Sequence, residues 1–200
     1  MSKIDDKIEE FKVVNGMARK NEVVCFGSSF FSKMDFLEMA CDSGMTKPVY
    51  NRSIEGLSIS DAEKVLSETV YPLEPSKIFV NIGDADVNGS KFSEDDFIAK
   101  YEWMLLSIHR NCRNCRIFVV SAISDKECAK SLNKRLEQLA KSTGCTYIDI
   151  CSEGVKHAYT KVFNQLKPFI RNFPINFADA MQYQESTRSE ERFSRNAETD

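Results

Sequence analysis

Three short loops hold the residues whose types and order could do chemistry. Gly27-Ser28-Ser29 follows the apolar run Val23-Val24-Cys25-Phe26, Asn51-Arg52-Ser53-Ile54-Glu55-Gly56 follows Val49-Tyr50, and Gly83-Asp84-Ala85-Asp86 follows Lys77 to Ile82. A serine where a strand turns into a helix is aimed out of the sheet. It also sits near helix N-terminal N–H groups, which favour developing negative charge. A glycine in a neighbouring loop can offer an uncluttered backbone N–H to an oxyanion. Together these features describe serine attack on an acyl carbon. Taken singly, the same residues read as a helix cap and as turns.

Other reactive side chains are few. Asp84 and Asp86 flank Ala85 and could face a cation, but no further ligands accompany them, so they read as loop caps. Cys112-Arg113-Asn114-Cys115 has CxxC spacing. A zinc site needs a second ligand pair, and a redox pair sits at a strand-to-helix turn. This one falls between a helix and a strand, so it reads as structural thiols. There are two imidazoles. His109 lies late in a helix beside Arg110 and suits a helix end. His157 follows Glu153 by four residues, a spacing that shares one face if both are helical.

The elements that must position these loops alternate. Lys3 to Ala18 spaces Ile4, Ile8, Phe11 and Val14 as an amphipathic helix. Strands are expected at 23–26, 49–51, 77–82, 116–121 and 146–150. Between them, helices are expected at 30–41, after Ser60 (capping-box form with Glu63), after Ser93, and after Ser124 (with Glu127). A last helix runs over 155–170. Phe97, Tyr101, Leu105 and Ile108 form one buried stripe, and Cys128, Leu132, Leu136 and Leu139 another. The strands read as continuous apolar runs, as when both faces are covered. The pattern predicts an α/β fold of three layers, α/β/α and flavodoxin-like, with a five-stranded parallel sheet in the order 2-1-3-4-5. Its site belongs at the carboxyl ends of the strands at the switch point.

Composition narrows the class. The 200 residues, 42% hydrophobic with 14 Phe, exclude a wholly disordered chain. A net charge of −3 argues against a general nucleic-acid binder. No apolar run approaches the ~20 residues that span a bilayer, and the N-terminus lacks the apolar core of a secretory signal. Seven cysteines, an odd number scattered through apolar segments, suit reduced thiols in the cytoplasm. Residues 185–200 hold five acidic and three basic residues with Phe193 as their one aromatic, so a flexible tail is expected. The expected division is a domain over 1–172, with 1–20 as a lead-in helix, and a mostly flexible extension over 173–200.

In this order the three loops resemble the blocks of the SGNH/GDSL hydrolase family of serine esterases, lipases and acylhydrolases. Gly27-Ser28-Ser29 stands where that family has Gly-Asp-Ser, with Ser28 replacing the Asp and Ser29 matching the nucleophile. Asn51 to Gly56 is similar to Asn-Arg-Gly-x-x-Gly, which makes Gly56 the oxyanion glycine. Gly83-Asp84-Ala85-Asp86 matches Gly-x-Asn-Asp, except that Ala85 holds the oxyanion asparagine position. The resemblance covers about residues 1 to 170.

The family's fourth block, Asp-x-x-His or Glu-x-x-His, should follow strand five. Here Cys151-Ser152-Glu153-Gly154-Val155-Lys156-His157 occupies a shortened linker. Two readings stay open. Glu153 and His157 are a shifted remnant with His157 as general base, or the block is lost and both are ordinary helix-start residues. The resemblance implies a serine-dependent hydrolase acting on a small or carbohydrate-linked ester. It implies Ser29, His157 and Glu153 as catalytic residues and the N–H groups of Ser29 and Gly56 as oxyanion donors. Ser28, Asn51, Asp84 and Asp86 would lie at the binding site. No metal or organic cofactor is implied, and no nucleic-acid or membrane partner. The alternative is a degenerate, non-catalytic binding module of the same fold.

Overall fold

In the computed structural model of the chain, a parallel five-stranded sheet carries helices on both faces. Residues 2–45, 47–90, 92–124, 126–151 and 158–171 are described. Glu153, His157 and the expected extension beyond 172 lie outside them. The elements run α1 (Lys3–Asn15), β1 (Val23–Gly27), α2 (Ser29–Ser32), α3 (Phe36–Asp42), β2 (Val49–Asn51), α4 (Ala62–Val65), β3 (Lys77–Asn81), α5 (Asp84–Asn88), α6 (Glu94–Asn111), β4 (Arg116–Val120), α7 (Glu127–Ser142), β5 (Thr146–Ile148) and α8 (Tyr159–Ile170). A π-helical segment, Leu66–Val70, prolongs α4 into a 3-10 turn at Tyr71–Leu73. The chain divides into two compact units, Met1–Gln165 and Leu166–Asp200; of the second, residues 166–171 are described. The candidate site lies wholly in the first.

The strand order is β2-β1-β3-β4-β5, every pair parallel, as the alternation predicts. Val23 pairs with both Val49 and Lys77, so the ends of β1, β2 and β3 come level. All five positions of β1 and of β3 are buried, which is why their sequences lack a polar alternation. On one face Val24, Phe26, Ile78, Val80, Ile117 and Val119 pack under α1, α4, α6 and α7. On the other, Phe79 stacks on Phe118 with ring centroids 4.6 Å apart. Phe31 and Phe36 meet at 5.0 Å on that side, and Phe163, from the start of α8, packs on Phe36 at 6.4 Å.

Local signals held unevenly. Ser93 caps α6 by accepting the Asp96 N–H, as its spacing implies. Ser60 does not cap α4: Asp61 occupies that position without a side-chain bond, and the Ser58 hydroxyl donates to Asp61. At α7 the cap position falls to Lys126, while Ser124 accepts the Lys126 N–H at 3.3 Å. The helix expected over 30–41 is two helices. α2 stops at Ser32, and Asp35 caps α3 by accepting the Glu38 N–H at 3.0 Å. The Asn51 amide explains the break, for it donates to the carbonyls of Phe31 at 2.8 Å and Met34 at 3.1 Å, which a continuous helix would use itself.

Candidate active site

Ser29 is the first residue of α2, directly after β1, and is half-buried. The turn that carries it is fixed to β3. Ser28 N–H donates to the Asn81 carbonyl at 2.9 Å. The approach is so close that a Cβ on Gly27 would come within 2.4 Å of the same oxygen. Only glycine fits there, which is the physical content of the first loop's glycine. The Asn81 side chain turns the other way and donates to the Ser121 carbonyl at 2.7 Å, linking β3 to the end of β4.

The second loop meets the first at its tip. Ile54 N–H donates to the Gly27 carbonyl at 3.0 Å, and Gly56 N–H donates to Ser29 Oγ at 3.1 Å. Gly56 has φ +76°, a conformation that side-chain-bearing residues adopt at a cost, and this turns its N–H toward Ser29. Asn51 shapes the loop's start through its Oδ1, which accepts the Ser53 N–H at 3.0 Å. Arg52 is 5% exposed and lies over the rings of Phe11 and Tyr50 at 5.2 and 5.4 Å. Its Nε and Nη2 both donate to Asn15 Oδ1, at 2.9 and 2.7 Å. It therefore ties the loop to α1 and does not face Ser29.

The third loop is not a loop but the short helix α5, capped by Gly83. Its two aspartates clamp the other two loops. Asp84 Oδ2 accepts the N–H of Ser29 itself at 3.1 Å. Asp86 accepts the N–H of Ile59 with both oxygens, at 3.1 and 3.2 Å. Burial of the Asp86 carboxyl pushes its pKa up to about 6, against the lowering effect of that N–H. Asn88 is committed elsewhere, donating to the Asp84 carbonyl at 2.7 Å.

The structure thus brings together Ser29, Gly56, Asp84, Ala85 and Asp86 at the carboxyl ends of β1 to β3. Ser28, fully buried, lies beneath, and its Oγ has no partner among the described residues. Asn51 supports the turn after α2. A cavity of about 380 Å³ opens at the far end of α2, lined in part by Lys3, Lys7, Ser32, Lys33 and Glu55.

His109 lies away from this cluster, its Nε2 3.1 Å from the Thr143 carbonyl. Cys112 and Cys115 are buried free thiols whose pKa values burial raises, Cys112 to about 11. One organising residue had no signal in the sequence. Asn133, inside α7, accepts the Ala122 N–H at 2.8 Å and donates to the Ala122 carbonyl at 3.0 Å. It also donates to Cys151 Sγ at 3.5 Å and so anchors the chain just before Glu153 and His157.

Solved structures share this arrangement of sheet and helices. A Streptococcus pneumonia protein, provisionally named a platelet activating factor, superposes with a TM-score of 0.73 at 16% identity, over 84% of this chain and 92% of that one. A GDSL-like lipase from Bacteroides thetaiotaomicron gives 0.60 at 19% identity, over 71% and 77%. The acetylxylan esterase Axe2 from Geobacillus stearothermophilus gives 0.55 at 14% identity, over 73% and 81%. The chain has the SGNH/GDSL hydrolase fold. No family model and no curated protein matches it in sequence. Within this fold, Gly27 and Gly56 stand at the loop positions where the sequence resemblance puts the family's first and second blocks. Among the described residues no helix is long and apolar enough to cross a membrane.

Proposed function

We propose that the chain is a serine-dependent ester or acyl hydrolase of the GDSL type. The observation that carries this reading is the 3.1 Å contact between Gly56 N–H and Ser29 Oγ, which sets a backbone donor beside a hydroxyl at the strand-to-helix turn. Solved structures of the same fold include proteins named lipases, acylhydrolases and acetylxylan esterases, which supports the class of reaction. The substrate we propose is a small or carbohydrate-linked ester, in line with the acetylxylan esterases that share the fold. The seven unpaired cysteines support a cytoplasmic setting.

In this mechanism Ser29 Oγ bonds to the ester carbonyl carbon while its proton passes to an imidazole, a role that the family resemblance gives to His157, with Glu153 as its partner. The carbonyl oxygen becomes an oxyanion received by the N–H groups of Gly56 and Ser29. The C–O bond to the alcohol then breaks, and the imidazolium returns the proton to that alcohol. Water, deprotonated by the same imidazole, releases the acid and restores Ser29. Ala85 supplies no side-chain donor, and loss of one such donor costs on the order of 10²–10³ in rate, so turnover is slow. The second reading, a binding module without catalysis, draws on that same Ala85.

The test is hydrolysis of p-nitrophenyl acetate with labelling by a fluorophosphonate. Ser29→Ala is expected to abolish both. Unchanged hydrolysis in that variant removes Ser29 as nucleophile, and a wild type without hydrolysis or labelling favours the binding module.

A further inference from the structure

Both backbone donors that the proposed reaction needs are already engaged inside the molecule. Gly56 N–H donates to Ser29 Oγ, and Ser29 N–H donates to Asp84 Oδ2, each at 3.1 Å. The second bond is unusual in its chemistry. A carboxylate oxygen on an N–H makes a charge-assisted bond, stronger than one to a neutral acceptor. It sits on the donor that an oxyanion on the acylated Ser29 would use.

Asp84 is held there. It is 9% exposed, and its main-chain carbonyl is tied by the Asn88 amide at 2.7 Å. Its second oxygen, Oδ1, is buried with no hydrogen-bond partner among the described residues. No ion pair to Asp84 occurs among the described residues either. A half-satisfied buried carboxylate is costly to keep. Asp86, two residues on, shows the ordinary solution, with both oxygens on one N–H of a neighbouring loop. Asp84 clamps the first loop as Asp86 clamps the second, but it does so with one oxygen only and on the N–H that an oxyanion would need.

We propose that Asp84 is a brake on the site: its carboxylate stands in for the oxyanion on the Ser29 N–H and sets the rate of acyl transfer at Ser29. The proposal rests on Ser29 being the nucleophile. A substrate oxygen that takes up charge must displace Oδ2 from the N–H and then lies beside a second negative charge. Ala85 offers no amide to offset this. An amide in place of the Asp84 carboxylate has the same shape and no charge. Its oxygen can still accept the Ser29 N–H, and its nitrogen can donate to the oxyanion. Asp84 is thus a positioning residue whose charge limits the reaction it adjoins.

The experiment measures the second-order rate of fluorophosphonate labelling in the full chain, with melting temperature, for wild type, Asp84→Asn, Asp84→Ala and Ser29→Ala. Asp84→Asn is expected to label about tenfold faster or more, since a well-placed donor is worth on the order of 10²–10³ in rate. Asp84→Ala should gain less, because it lifts the charge without adding a donor, and Ser29→Ala should not label. If Ser29→Ala abolishes labelling but neither Asp84 variant is faster than wild type, the brake is overturned while the nucleophile stands. If Ser29→Ala labels as wild type does, or no form labels, the nucleophile fails and the brake fails with it. A second readout needs no variant to fold. In wild type the ¹⁵N-resolved amide proton of Ser29, bonded to the Asp84 carboxylate, should exchange with solvent slowly, and exchange at the rate of an unbonded amide removes the contact itself.

Discussion

The two ends of the sheet are built differently. At the amino end, neighbouring segments join mainly through main chain: Asn21 N–H to the Leu73 carbonyl, Ser76 N–H to Glu22 and Arg116 N–H to Ser76, with the Ser76 hydroxyl adding a second bond to the Glu22 carbonyl. At the carboxyl end the loops are held largely by side chains reaching main-chain groups far along the chain, through Asn51, Asp84 and Asp86. Each end also buries a charge. Burial lowers the pKa of Lys77, at the start of β3, to about 8, assisted by the like charges of Arg116 and Lys47. Burial raises that of Asp86 to about 6. The amino end is thus set by backbone geometry. The carboxyl end is set by replaceable polar groups, and chemistry can change there without rebuilding the sheet.

The largest effect should come from breaking the tightest backbone junction at the carboxyl end, that between Gly27-Ser28 and Asn81. Gly27→Ala drives a Cβ to within 2.4 Å of the Asn81 carbonyl, with no flexible side chain to yield. Overpacking of this kind costs about 1–3 kcal/mol, and the backbone clash puts this site at the upper end, read as a lower urea midpoint with an unchanged slope. Next is Asp86→Asn, which keeps an acceptor for Ile59 N–H and removes the titration. The folded chain holds the Asp86 proton more tightly than the unfolded chain does. Its contribution to stability is therefore full below pH 3.8 and is lost as pH rises through about 6. The variant should lack that decline in thermal scans between those values. An effect of similar size is expected at the other end. Lys77 is more acidic when folded, so its contribution is present above pH 10.5 and lost as pH falls through about 8. Lys77→Met should flatten stability over that interval and leave the pH 4–6 behaviour alone.

Strand order and the three glycine-bearing loops were legible because they depend on local pattern: apolar runs of strand length, each ended by Gly or Asn. The break between α2 and α3 was not, because it is made by Asn51, 17 and 20 residues from the carbonyls it takes. α5 was read as a loop for a similar reason. Asp-Ala-Asp-Val-Asn is a poor helix by propensity, and its tertiary bonds to Ser29 and Ile59 hold it. The Asp84 contact with Ser29 spans 55 residues. The motif placed Asp84 near the nucleophile, but no spacing rule says which N–H it takes.

α1 depends almost entirely on what comes later. It buries Ile8 among its 13 residues, and a helix of that length is marginal in water by itself. Its fixings are Arg52 on Asn15, Asn15 on the Thr69 carbonyl and Lys64 with Asp5. During synthesis none of these partners exists when α1 leaves the ribosome, and the last of them arrives some fifty residues after it. α1 therefore cannot settle as it emerges, and until residue 69 follows it is a length of chain exposed to proteases and chaperones.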